Sequence, residues 1–283
     1  MSYLKETVYS PNADKMPIHV GIYYALKGLY NGRSLGYRLF RRNISSQYRQ
    51  SLLGIFWAFV PVIVTSAVWM FLQGSRIINI ADPGMPYPAF VLIGTTLWQG
   101  FLTFLQGPLN MVNGNKGLLV KINFQREALL VAAFYDALFN FMIRLPVIIV
   151  AMLIFNVVPG VNLIYFPLAL IALFLLGASI SLLLLPLSML YTDINRAIGT
   201  IAQFLMYLTP VIYPFPKDGL AADLMKLNPI APVLSTARNT LGTEGSPFME
   251  GFWLISGISL VLFFFGLILY RKSMPHIIAR IGA

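Results

Sequence analysis

Six stretches of this chain are apolar for long enough to cross a hydrocarbon layer as helices: Ile55 to Gln73, Pro88 to Gln106, Leu129 to Val157, Leu163 to Leu190, Ile198 to Tyr213 and Phe252 to Tyr270. About 20 helical residues cover roughly 30 Å and satisfy every backbone group internally, which lipid demands because it offers no hydrogen bonds of its own. The fifth stretch is short and meets Thr209-Pro210, so it is expected to stop part-way and leave a broken or re-entrant segment. Only 11% of the residues are charged and 58% are hydrophobic, too little charge to cover a soluble globule and too much apolar surface for a disordered chain. The expected fold class is an all-α membrane protein with six transmembrane helices, divided into a cytoplasmic segment 1–54, a helical domain 55–270 and a cytoplasmic tail 271–283.

Where the basic residues fall sets the orientation. Lys5, Lys15, Lys27, Arg33, Arg38, Arg41, Arg42 and Arg49 precede the first apolar run, and Lys116, Lys121, Arg126, Arg196, Arg271, Lys272 and Arg280 fall on the same side of a six-crossing chain. The opposite side holds Arg76, Lys217, Lys226 and Arg238. Both termini are therefore expected inside. The net charge of +10 is placed to meet anionic lipid headgroups rather than nucleic acid. Residues 1–54 lack an isolated apolar core segment, so no cleavable signal is expected. Within them, His19 to Asn31 carries Val20, Ile22, Tyr23, Leu26, Leu29 and Tyr30 around Lys27, a weak amphipathic helix suited to the membrane interface. A disordered basic tail that merely sets topology is the other reading of that segment.

The residues offer little for catalysis. There is no cysteine, and the two histidines, His19 and His276, stand in the terminal segments, so a thiolate nucleophile, an iron–sulfur site and a zinc hydrolase are not expected and no metal ligands are assigned. No phosphate loop, serine elbow or dinucleotide fingerprint is present; Asn113-Gly114-Asn115-Lys116-Gly117 lacks the following Ser/Thr and the preceding strand of a nucleotide site. Lys116-Gly117-Leu118-Leu119-Val120-Lys121-Ile122 sets two lysines around a small apolar face, the shape of a short helix docked into a partner's groove or lying on the membrane. In the third stretch Asp136, Asn140 and Arg144 recur every four residues along one helix side. They read either as part of a conduit wall or subunit seam, or as hydrogen bonds to a neighbouring helix. The aromatics Phe56, Trp57, Trp98, Phe101 and Phe104 suit either stacking on sugar faces or an ordinary core and interfacial belt.

Three blocks resemble one family. They are Tyr48-Arg49-Gln50-Ser51-Leu52-Leu53-Gly54-Ile55-Phe56-Trp57-Ala58; then Pro86-Tyr87-Pro88, Gly94 and Trp98 followed by the run Asn115 to Glu127; and finally Tyr191-Thr192-Asp193-Ile194, Thr209-Pro210-Val211-Ile212-Tyr213-Pro214 and Leu227-Asn228-Pro229 with Arg238. In order and spacing they are similar to the membrane-spanning permeases of ATP-binding-cassette exporters for bacterial surface polysaccharides: O-antigen, capsule and teichoic acid. The likeness covers 34–270 and departs at Gln125, where the family often has proline, and in a longer N-terminal segment.

The resemblance implies a permease subunit, not itself an enzyme, in the bacterial cytoplasmic membrane. Two copies would form a channel for a lipid-linked polysaccharide, with two ATPase subunits docked beneath that bind the ATP and Mg; this chain would hold no cofactor. Asn115, Lys116, Leu118, Leu119, Lys121, Ile122, Arg126 and Glu127 would form the coupling helix and its flank. The stretch from Thr209 to Arg238 would form short re-entrant outer helices, and the N-terminal interfacial helix would brace the inner entry. Phe56, Trp57, Trp98, Phe101, Phe104, Tyr207 and Tyr213 become candidates for the glycan path. The rival readings are an exporter of a drug or small lipid, an intramembrane glycosyl or acyl transferase centred on Tyr191 to Arg196, and a secondary transporter.

Overall fold

A computed structural model describes residues 18–49, 52–78, 80, 83–122, 124–216, 219–243 and 246–282, and among these all regular structure is helical. The helices are α1 (Ile18–Arg49), α2 (Val60–Gly74), α3 (Tyr87–Gly114), α4 (Lys116–Lys121), α5 (Glu127–Ile154), α6 (Phe166–Leu190), α7 (Thr192–Tyr207), α8 (Leu220–Lys226), α9 (Ile230–Asn239) and α10 (Met249–Gly282). Single 3-10 turns at Gly54–Ala58 and Val161–Tyr165 lead into α2 and α6. Lys5, Lys15, Gln50, Ser51, Asn123, Lys217, Asp218 and Glu244 lie outside the described residues.

Four segments are long and apolar enough to cross a membrane: Tyr87–Gly114, Glu127–Ile154, Val161–Leu190 and Met249–Ile281. They match the second, third, fourth and sixth apolar stretches. The first and fifth are shorter as helices. α2 has 15 residues and α7 has 16, rises of about 22 and 24 Å. α7 begins six residues before the apolar stretch does and ends at Tyr207; from Leu208 the chain turns, as Pro210 requires. α3 runs on to Gly114, so most of the 107–128 connection is the end of a long helix and the separate inner helix is confined to Lys116–Lys121.

The core sits where α3, α5, α6 and α10 meet. Phe174 of α6 stacks on Phe104 of α3, ring centroids 4.4 Å apart, and takes the edge of Phe141 of α5 at 4.7 Å. Small residues let these backbones close: a methyl on Gly100 would reach within 2.7 Å of the Phe141 ring, and one on Gly177 within 2.9 Å of the Phe101 carbonyl. Such approach is what holds helices together in lipid, where burying apolar surface brings no gain over the tails.

α1 follows the same rule. It is a 32-residue helix, not the shorter segment expected, and it buries Ala25, Gly28, Gly32 and Gly36. A methyl on Gly36 would lie 2.8 Å from Val131 Cβ, and one on Gly32 3.0 Å from the Ala128 nitrogen. The larger residues Tyr23, Leu26 and Tyr30 stand exposed on the other side, the face an interfacial helix turns toward lipid. α1 docks closely on α5, and at the points of nearest approach only its smallest residues fit, with Tyr37 and Phe40 packing on Tyr135 and Phe139 beside them.

Candidate functional site

The bundle has two unlike ends. At one, which we term the basic end, α4 joins α3 to α5 beside the start of α5, α1 and the last part of α10. Leu119 is buried in the bundle, and the Lys116 ammonium donates to the Met189 carbonyl at the end of α6, 2.8 Å away. Burial lowers the pKa of Lys116. Asn115 is held from both sides: it donates to the Met111 carbonyl at 2.7 Å and accepts from Arg42 of α1 at 3.0 Å. Asn113, two residues earlier, donates to Ser188 at 3.1 Å. With α4 fixed in this way, Gly117, Val120, Lys121 and Ile122 face outward, and a methyl on Gly117 would meet nothing within 4 Å.

The expected coupling residues therefore separate into two sets. Leu119, Asn115 and Lys116 fasten the helix, Leu118 is half-buried, and Lys121 and Ile122 are free to meet a partner. Glu127 lies inside. It accepts from Arg271 of α10 at 2.8 Å, and the same guanidinium nitrogen donates to the Tyr24 carbonyl of α1 at 2.6 Å. Arg126 offers its carbonyl to the Tyr270 hydroxyl at 2.9 Å. These contacts tie α1, α5 and α10 together. Gly117 and Val120, part of the short-helix run but not of the expected coupling set, also belong to the outward face.

At the other end, residues from three distant blocks meet. Arg238 of α9 is only 3% exposed; it donates to the Pro210 carbonyl at 2.8 Å and the Val211 carbonyl at 3.3 Å, with its guanidinium 3.6 Å from the Phe90 ring centroid. Tyr87 donates to the Ile212 carbonyl at 3.1 Å, and a methyl on Gly94 would stand 2.1 Å from the Val211 oxygen. Asn228 donates to the Leu208 carbonyl at 3.0 Å and to the Thr209 hydroxyl at 2.8 Å, and accepts from the Ile230 amide. Each freed carbonyl of the broken segment that these residues reach is satisfied by a side chain, as non-helical backbone at membrane depth requires. Arg238, counted by position as an outer surface charge, is an internal clasp.

The intramembrane trio serves helix packing. The Asp136 carboxyl faces Asn43 of α1, Asn140 donates to the Asp136 carbonyl at 2.8 Å, and Arg144 donates to the Ala58 carbonyl at 3.0 Å. Asp136 faces α1 and Arg144 ties α5 to the turn before α2, while the Asn140 bond stays within α5.

The aromatic candidates also divide. Trp98, Phe101 and Phe104 are packed in the interior of the bundle, where a passing chain cannot reach them; their helix face turns toward α5 and α6 because Gly100 admits those rings there. Phe56, Trp57 and Tyr207 are exposed, and Tyr213 donates its hydroxyl to the Tyr207 carbonyl.

Between α3 and α7 lies a polar groove of about 510 Å³. Gln99 and Gln106 line it from α3, and Arg196, Thr200 and Gln203 from α7. On α7 the row Arg196, Thr200, Gln203 and Tyr207 advances by four, three and four residues, one helix face. Asn195 donates to Asn110 at 3.4 Å near the basic end, and Trp69 of α2 meets Tyr207 at 6.3 Å farther up. Asp193 and Arg196 form an exposed pair at 3.6 Å, with side chains 88% and 83% accessible, a surface arrangement rather than a buried acid–base couple. The glutamines were not among the residues expected to matter, although their helical spacing is present in the sequence.

Residues 36–242 match the family described as ABC-2 type transporter. The O-antigen export system permease protein RfbA of Klebsiella pneumoniae is 22% identical over 232 residues, covering 81% of this chain and 85% of that protein. A second Klebsiella pneumoniae protein of the same name is 22% identical over 173 residues, 61% of this chain and 66% of its own length.

Proposed function

This chain belongs to the ABC-2 type transporter family, and from that premise we propose that it is the permease subunit of an exporter carrying a lipid-linked surface polysaccharide across the cytoplasmic membrane, powered by a separate ATPase. Two copies form the channel and two ATPase subunits dock at the basic end. The chain crosses six times with both termini inside. α2 and α7 are the short crossings, and the bilayer meets them by local thinning.

The observation that carries this reading is the state of α4. It is anchored to α3, α6 and α1 by Leu119, Lys116 and Asn115, while Val120, Lys121 and Ile122 are presented to a partner. A displacement applied there is passed to the bundle instead of being lost in a loose loop. Nucleotide closes the ATPase dimer, and the closure shifts the permease between states that pack α4 differently. The polysaccharide cargo is supported by the likeness to O-antigen export permeases across most of the chain.

The test replaces Val120 or Ile122 with Asp in cells making the whole complex. Export of surface polysaccharide is expected to fall while lipid-linked glycan accumulates at the cytoplasmic face and the permease stays in the membrane. Wild-type export from both variants would overturn the docking assignment. Sensitivity to a drug in place of glycan accumulation, on deleting the chain, would overturn the cargo.

A further inference from the structure

At the end opposite the basic one, the 3-10 turn before α6, helix α9 and the start of α10 enclose a cavity of about 320 Å³, within the roughly 300–1,000 Å³ of small-molecule sites. Its walls are fastened to one another: the Gly160 amide donates to the Gly242 carbonyl at 3.3 Å, and the Thr236 and Ser246 hydroxyls share a hydrogen bond of 2.8 Å. Ala169 and Phe252 are buried at its back. Its lips, Tyr165 and Leu168 on one side and Met249 and Trp253 on the other, are exposed. Ile164 and Ile171 flank the first pair, Leu254 follows the second, and all three are exposed as well, so the mouth opens sideways onto hydrocarbon.

Asn162 and Asn239 line the same cavity, and neither side-chain amide has a hydrogen-bond partner among the described residues. Both stand by the connecting loops, Asn162 in the turn before α6 and Asn239 at the end of α9, whereas Leu168, Ala169, Phe252 and Trp253 lie within the helices. Polarity therefore changes with depth, from free amides near the surface to apolar walls below. An unsatisfied amide is costly away from water, so these two call for a ligand with polar atoms at one end only.

We propose that the cavity holds one glycerophospholipid of the leaflet at that end, zwitterionic in its headgroup, with the two asparagines on the headgroup and an acyl chain between Leu168 and Trp253. The inference goes beyond the exporter reading and needs only a membrane-embedded chain. The amide N–H groups donate to phosphate or ester oxygens, and the amide oxygens accept from an ammonium. The described lining carries no charged side chain, so a headgroup with a net negative charge would be buried without a cation. Glu250, exposed next to Met249, adds repulsion. A zwitterion brings its own countercharge. Trp253 and Tyr165 have the amphipathic rings that sit at headgroup level. On α9, Thr236, Asn239 and Thr240 form the face toward the cavity, and the neighbouring Arg238 makes the internal clasp. The lipid thus props α9 between α6 and α10.

The test offers the delipidated full-length chain, in detergent, phosphatidylethanolamine or phosphatidylglycerol with the same acyl chains, and counts bound lipid by native mass spectrometry. One ethanolamine lipid is expected to bind about tenfold more tightly than the glycerol lipid and to raise the melting temperature. Asn162→Leu combined with Asn239→Leu is expected to erase that preference. Ala169→Phe, which fills the cavity from its buried wall, is expected to abolish both the tight binding and the dependence of melting on lipid. Equal affinity for the two lipids, a preference that survives the asparagine change, or wild-type binding by Ala169→Phe would overturn the site. If Ala169→Phe does not fold, the half-buried asparagine pair decides alone. Export is read in none of these measurements, so their failure is distinct from failure of the exporter reading.

Discussion

At the end opposite the basic one, Arg238 is buried against the chain's own carbonyls and a phenyl ring, while at the basic end Val120, Lys121 and Ile122 are exposed. Both ends interrupt long helices, and both contain cations. In the first the interruption is closed internally: three sequence blocks converge so that no freed carbonyl they reach is left to lipid. In the second, the interruption is fastened on one side and left open on the other. The contrast separates residues that hold the fold from residues that the fold leaves exposed, and it does so where residue type alone would not, since Arg238 and Lys121 look equivalent in a list of charges.

Breaking the closed end should have the largest effect. Arg238→Leu leaves the Pro210 and Val211 carbonyls without this donor and is expected to cost about 1–3 kcal/mol for each unsatisfied acceptor; thermal melting in detergent would read it as loss of the folded species. Gly94→Ala forces a methyl against the Val211 oxygen and is expected to cost about 1–3 kcal/mol by overpacking, seen as a lower melting temperature with the fold retained. An intermediate effect is expected for Glu127→Gln, which weakens the half-exposed Arg271 pair by about 1 kcal/mol. The smallest thermal change belongs to Ile122→Asp, within about 0.5 kcal/mol of wild type, together with the loss of export described above. An Ile122→Asp protein that melts as early as Arg238→Leu would erase the distinction between the two ends.

Much of the framework was legible. Long apolar runs marked α3, α5, α6 and α10, and Pro210 marked the break after α7, because lipid imposes length and internal hydrogen bonding on any crossing. The facing of those helices was not legible. α6 is apolar all round, so nothing in its sequence says which side meets Phe104, and Trp98 looks the same whether it lines a path or fills a core. α1 was legible as an amphipathic helix but not in its packing: Gly28, Gly32 and Gly36 make the closest contacts because helices in lipid pack by closeness and not by exclusion of water. The groove glutamines were within reach. Polar residues at helical spacing in an otherwise apolar segment are a signal in themselves, and attention to charge and aromaticity passed over them.

The bond from Lys116 to the Met189 carbonyl has a mechanical meaning. Met189 lies two residues before Tyr191, whose extended backbone is the joint between α6 and α7. No push on α4 can therefore leave that joint undisturbed unless the bond stretches or breaks, and α7 is the wall of the groove that hangs from it. A six-residue helix on the surface is thus the short arm of a lever whose long arm is α7, beside the groove.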